Sequence, residues 1–187
     1  MHASLSDIVA DAAANSIEAR ATRVKVDVVE EGGEISLAVA DNGKGMDEAT
    51  CARAFDPFFT EPGKHDARKV GMGLPFVKQT CEACGGSVSL ESKKGIGTTL
   101  KCSFRADNID VPPMGDLSAA VLSLFSFSGD FELVFTHRRG GDEYSISRSE
   151  LMDAVGGFDS VEGLSLAREY LSGQEEALAH GSEGGDA

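Results

Sequence analysis

The chain has 187 residues, 41% of them hydrophobic and 26% charged, an ordinary balance for a globular protein and enough for one good core, or for one domain plus a smaller one. Its formal net charge of −14 argues against non-specific attraction to nucleic acid or anionic membrane, both of which need clustered Lys and Arg. It contains no apolar run of about 18 residues and no charged-then-apolar leader, so we expect neither a membrane span nor a secretory signal, and we expect cytoplasmic residence.

Residues 4–19 are predicted to be a helix, with Ser4 or Ser6 as N-cap and Leu5, Ile8, Val9 and Ala12 as its apolar stripe. Asp7, Asp11, Asn15 and Glu18 share another face. A solvated face is the plain reading, but Asn15 is a mediocre helix former placed mid-helix after alanines. Val24, Val26 and Val28 alternate, as do Ile35, Leu37 and Val39, around Glu31-Gly32-Gly33-Glu34, which is the pattern of a β-hairpin. The second strand ends in Asp41-Asn42-Gly43-Lys44-Gly45-Met46. This stretch serves equally as an Asx turn or as a place where a ligand lies against bare backbone. A short helix over about 47–54 leads to Phe55-Asp56-Pro57-Phe58-Phe59.

Residues 60–70 have no apolar period and read as a polar, basic, mobile loop. After Gly71-Met72-Gly73, Leu74-Pro75 opens a helix that stops at Gly85-Gly86. Strands over 87–91 and 98–105 follow, around Lys93–Gly97. The four cysteines are Cys51, Cys81, Cys84 and Cys102. Cys81 and Cys84 form a CxxC, but they share a helical face with Leu74 and Val77, and Cys102 alternates with Leu100 and Phe104. All three are therefore expected to point inward as small buried hydrophobes; no second CxxC or CxxH is present to complete a zinc site.

Charge changes abruptly after this point. Residues 1–105 carry 13 Lys+Arg against 15 Asp+Glu, whereas residues 106–187 carry 4 against 16, with no Lys. Together with Pro112-Pro113, the shift suggests a boundary between residues 1–106 and an acidic α/β extension over 107–187. In the extension we expect a helix at 115–127, a hairpin of 131–136 with 144–146, helices at 148–155 and 160–171, and a disordered tail from about Gly181. The element order over residues 1–106 (helix, two strands, helix, loop, helix, two strands) is that of an α+β sandwich with helices on one side.

Four features occur in a fixed order: Asp11…Asn15-Ser16-Ile17-Glu18-Ala19, Asp41-x-Gly43-x-Gly45-Met46, Gly71-x-Gly73-Leu74 and Gly95-x-Gly97-Thr98. Together they resemble the Bergerat-fold (GHKL) ATPase superfamily of gyrase, the heat-shock chaperone, histidine kinases and mismatch-repair ATPases, over about residues 4–104. Asn15–Ala19 looks closest to the mismatch-repair version, and Asp56-Pro57-Phe58-Phe59-Thr60 to histidine kinases. The resemblance implies a two-layer α/β sandwich, a mixed sheet with helices on one face, that binds Mg-ATP.

It also implies roles by position. Asp41, an acceptor-only carboxylate when ionised, would take the adenine amine, with Gly43, Gly45 and Met46 against the base and the Thr98 hydroxyl beside it. Asn15 would offer its carbonyl oxygen to Mg²⁺, and Asp11, one turn earlier, would be the general base. Gly71, Met72, Gly73 and Leu74 would present amides at a helix start to the phosphates, beneath a lid carrying Lys64, Arg68 and Lys69.

Two departures matter. The base position usually holds the longer Glu, which puts turnover in question before binding. The asparagine helix starts within five residues of Met1, and none of His2, His65, His137 and His180 lies in anything like a phospho-acceptor helix. The reading is therefore a stand-alone ATP-binding regulator, a kinase or slow ATPase acting on a partner protein reached through the acidic extension. The alternative is a non-catalytic module whose lid and interface respond to ATP. Dimerisation driven by ATP, as in the mismatch-repair group, lacks the further domain that supplies a phosphate-contacting lysine.

Overall fold

The computed structural model describes residues 3–57 and 73–181. Helix α1 (Leu5–Glu18) begins in a capping box, with the Asp7 amide donating to Ser4 Oγ and the Ser4 amide donating to the Asp7 carboxylate. Strands β1 (Arg23–Glu31) and β2 (Glu34–Asp41) form the expected hairpin, turning on Gly32 and Gly33 at positive φ. Helix α2 (Glu48–Arg53) is capped by Asp47. Helix α3 (Gly73–Ala83) leads into a second hairpin of β3 (Ser87–Lys93) and β4 (Gly97–Arg105). The acidic segment supplies α4 (Leu117–Phe125), β5 (Glu132–Arg139), β6 (Asp142–Ser147), α5 (Arg148–Val155) and α6 (Val161–Gly181).

All six strands form one sheet in the order β3-β4-β2-β1-β5-β6. Every neighbouring pair is antiparallel except β1 and β5, which run parallel with Val26 opposite Phe135, so the sheet is mixed. Alternation gives the sheet two unlike faces. Val24, Val26, Val28, Leu37, Val39, Leu100, Cys102, Phe104, Leu133 and Phe135 are buried on one face, under the helices, with Leu5, Ile8, Val9, Val77, Cys81 and Phe125 packed on them. Lys25, Lys101 and Arg138 stand exposed on the other. The thiols of Cys81, Cys84 and Cys102 are free and buried, as their spacing suggested.

The acidic segment is built into this sheet rather than laid against it. β5 pairs along the full outer edge of β1, and the connection into α4 supplies acceptors for α1: the Leu5 amide donates to Pro113 O at 2.9 Å and the Ser6 amide to Met114 O at 2.8 Å. Two of the four amides that a helix start leaves without intrahelical partners are thereby satisfied.

Helix α6 differs from the sequence expectation, which ended it at residue 171. Despite Gly173, the helix continues to Gly181, with Leu171 and Leu178 both buried and Glu175 held from below. His137 of β5, 2% exposed, places Nδ1 3.1 Å from Glu175 and Nε2 3.0 Å from Glu30 of β1, and Tyr144 of β6 donates its hydroxyl to Glu175. Burial alone would lower the His137 pKa, but the hydrogen bonds to Glu175 and Glu30 outweigh it and push it up to about 9. His137 is therefore a charged core residue that joins two strands to α6. Residues 182–187 lie outside the described residues.

Candidate functional site

Asp41 is the last residue of β2. Register places it opposite Thr98 of β4, which in turn stands opposite Ser92 of β3. By the same alternation that buries Val39 and Leu100, this row faces the helices at one end of the sheet. Both carboxylate oxygens of Asp41 are held. Ser16 Oγ donates to Oδ2 at 2.8 Å, and the Gly43 amide donates to Oδ1 at 2.7 Å. Each oxygen keeps acceptor capacity beyond these bonds.

The Thr98 hydroxyl shares a hydrogen bond with Ser92 Oγ at 2.9 Å, and the Met46 amide donates to Ser92 Oγ at 2.8 Å. Asp41, Met46, Ser92 and Thr98 are thus gathered at one place from three strands and a loop. The sequence reading paired the Thr98 hydroxyl with a water or with Asp41. Among the described residues the hydroxyl bonded directly to Asp41 is that of Ser16.

The glycines beside Asp41 are required by the chain's own close approaches. Gly45 has φ +58°, and a Cβ there would stand 2.1 Å from Lys93 O. Gly97 has φ +141°, and its Cβ would stand 1.9 Å from Asp41 O; at Gly43 a Cβ would meet Ala19 O at 2.9 Å. The sequence reading gave Gly43 and Gly45 to a purine surface. Here the side-chain direction at each points at protein backbone, so each glycine also permits the loop-on-loop packing that holds the Asp41 loop in place. A cleft of about 480 Å³ opens beside that loop, lined by Glu18, Ala19, Arg20, Gly43, Lys44 and Gly95.

Asp11 and Asn15 lie one turn apart on the exposed side of α1, which also carries the buried Ser16. Gly73 opens α3, and a Cβ on it would stand 3.1 Å from Asp11 Oδ2. The fold thereby brings the first two motifs and the third to one end of the helix layer. Leu74 is half-buried and packs on the core. Gly71, Met72, His65, Phe58–Thr60, and Lys64, Arg68 and Lys69, which the resemblance would put in a lid, fall outside the described residues.

Donor chemistry suits a magnesium nucleotide. Asn15 presents a neutral, exposed amide, appropriate for a cation that keeps several waters and takes its other oxygens from phosphates. Sequence reasoning missed Ser16 and Ser92. Ser16 was within the quoted motif, and its hydroxyl beside Asn15 was the available signal. Ser92 had none, being one serine among several on β3.

A family model described as histidine kinase-, DNA gyrase B- and HSP90-like ATPase matches residues 2–108. The chain is 31% identical over 87 residues to the sensor histidine kinase YvrG of Bacillus subtilis, a stretch that covers 46% of this chain and 15% of that protein. It is 40% identical over 70 residues to the sensor protein DivL of Caulobacter vibrioides, covering 37% of this chain and 9% of that one. The chain thus spans only a small part of the length of these relatives. Among solved structures, the N-terminal domain of a DNA repair protein shares the fold, with a TM-score of 0.55 at 16% identity over 86% of this chain and 58% of that one. That share is too large to come from residues 1–106 alone.

Proposed function

The chain belongs to the histidine kinase-, DNA gyrase B- and HSP90-like ATPase family, and from that premise we propose that it is a Mg-ATP-binding regulatory protein in which Asp41 selects the base. The observation that carries this reading is the clamped Asp41 carboxylate. Ser16 and the Gly43 amide each donate to it, and its remaining lone pairs suit an exocyclic amine. A 6-amino purine offers that donor; a 6-oxo purine offers an acceptor and is turned away. Asn15 takes the metal position, and the start of α3 at Gly73 the phosphate position, beside Asp11. Asp11 would then receive a proton from the attacking water or partner hydroxyl, which makes the protein a kinase or slow ATPase.

One observation favours a second reading, an ATP-sensing module without turnover: Asp11 is one methylene shorter than the usual base. Titration calorimetry with Mg-ATP separates the possibilities. We expect the parent protein to bind, Asp41→Asn to lose at least about tenfold in affinity because a donor then faces the adenine amine, and Asp11→Asn to bind as the parent does while releasing no phosphate. Absence of binding at millimolar Mg-ATP would sink the reading. Binding without any phosphate release or transfer to protein leaves the sensing module.

A further inference from the structure

Helix α6 is attached by one side only. Gly163, Ala167, Leu171 and Leu178 are buried against the core, and Glu175 is gripped by His137 and Tyr144. Another flank carries Leu166 and Tyr170, 48% and 43% exposed, and continues through the exposed Gly173, Ala177 and His180. These five positions follow spacings of four, three, four and three residues, the repeat that keeps one stripe facing a partner helix. Gly173 and Ala177 leave room for a close approach, since interhelical distance is set by the side chains at the contact.

Charge along this stripe is one-sided. Glu162, Glu169 and Glu176 are exposed, seven residues apart, and so line a single border of it. The one cation among the exposed residues of α6 besides His180 is Arg168, which points elsewhere and meets Asp116 at 3.0 Å. The sheet ends at β6, which α6 overlies, with Gly181 packed against Asp142. No further strand or helix of the described chain extends past that edge.

A second copy of the chain does not suit this surface. Antiparallel pairing would set the three glutamates against the same three of the copy, and parallel pairing would set them against the buried Ala167 and against Gln174 and Gly181, none of which carries a positive charge. What the stripe lacks is an apolar face bordered by positive charge. We propose that this flank of α6 docks an amphipathic helix of a partner protein, apolar at the stripe and rich in Lys or Arg where it meets Glu162, Glu169 and Glu176. Its use does not depend on the nucleotide reading.

The test uses the full chain and a fluorescent three-heptad peptide with leucine at a and d and lysine at e and g, beside a peptide of the same composition in scrambled order. Anisotropy titrations should show the heptad peptide binding at least tenfold more tightly than the scrambled one. Leu166→Ser with Tyr170→Ser, which leaves every charge in place, should cut that binding at least tenfold. Changing Glu162, Glu169 and Glu176 together to Gln should weaken it and flatten its dependence on salt. All five positions are exposed, and circular dichroism checks that the variants keep their helix content. Equal binding of the scrambled peptide, or full binding by the Leu166/Tyr170 variant, overturns the proposal. So does a dimer of the parent chain in sedimentation equilibrium that the same double substitution dissociates.

Discussion

Ser16 shows how one hydroxyl gives a common residue a specific use. An aspartate at a strand end before glycines can simply hold its own turn, and Asp41 does so through the Gly43 amide. The Ser16 hydroxyl, arriving from α1 at 2.8 Å, fixes the second oxygen and ties the helix bearing Asn15 to the loop bearing Gly43. Ala12 O, at 3.3 Å from Ser16 Oγ, competes for the same proton, and the shorter contact to a carboxylate is the stronger. Ser16→Ala should therefore leave the protein folded, weaken Mg-ATP by about tenfold, in line with about 1.5 kcal/mol for a hydrogen bond to a charged group, and narrow the preference for ATP over GTP. Calorimetric titration of both nucleotides reads this. An unchanged ATP-to-GTP ratio would assign Ser16 to packing alone. The residue order offered only a hydroxyl beside Asn15; its partner was not legible, because a serine at position 16 meets Asp41 only when β2 ends beneath α1.

At the scale of an element, α6 owes its length and its place to charges beneath it. His137 is raised to about 9, so the stability it confers is complete below its ordinary pKa near 6.5 and is lost as pH climbs through 9. Glu30 is lowered, chiefly by its hydrogen bond to His137 and further by Arg139, so its contribution is present above its ordinary range and lost in acid. Burial first, and then Glu175, raises the Tyr144 phenol, which keeps its proton throughout. Attachment of α6 should therefore hold from about pH 5 to 7 and slacken toward pH 9. Hydrogen exchange of α6 amides, corrected for the intrinsic pH dependence, should accelerate over that upper interval, and His137→Gln should remove the pH dependence while raising exchange at pH 7. Identical pH profiles for the two proteins would show that other contacts hold the helix. The sequence pattern stopped α6 at 171 because Gly173 and three following polar residues break its apolar rhythm; a histidine 38 positions away was the missing partner.

For the molecule as a whole, the parallel pairing of β1 with β5 joins the near-neutral part of the chain to the acidic part. Val24, Val26 and Val28 share a buried layer with Leu133 and Phe135, and α1 takes acceptors from residues 113 and 114. We expect the full chain to unfold in a single calorimetric transition, and a chain cut after residue 106 to be less stable and to associate through the exposed edge of β1. Two separate transitions in the intact protein would mean that the halves are independent. Taken by itself, the amino-acid order determined what local chemistry can determine. It established the first two hairpins from their alternation and glycine turns, α1 from its N-cap and apolar stripe, α3 from its proline start and glycine stop, the inward cysteines, and the four ordered motifs that carry the family. The tertiary structure alone decided which strand lies beside β1, which hydroxyl meets Asp41, and that Asp11 stands at the start of α3. It also turned Gly43, Gly45 and Gly97 toward backbone and ran α6 to Gly181. Periodicity and turn residues act over a few positions, whereas each of these contacts joins residues tens of positions apart and exists only once the sheet has closed.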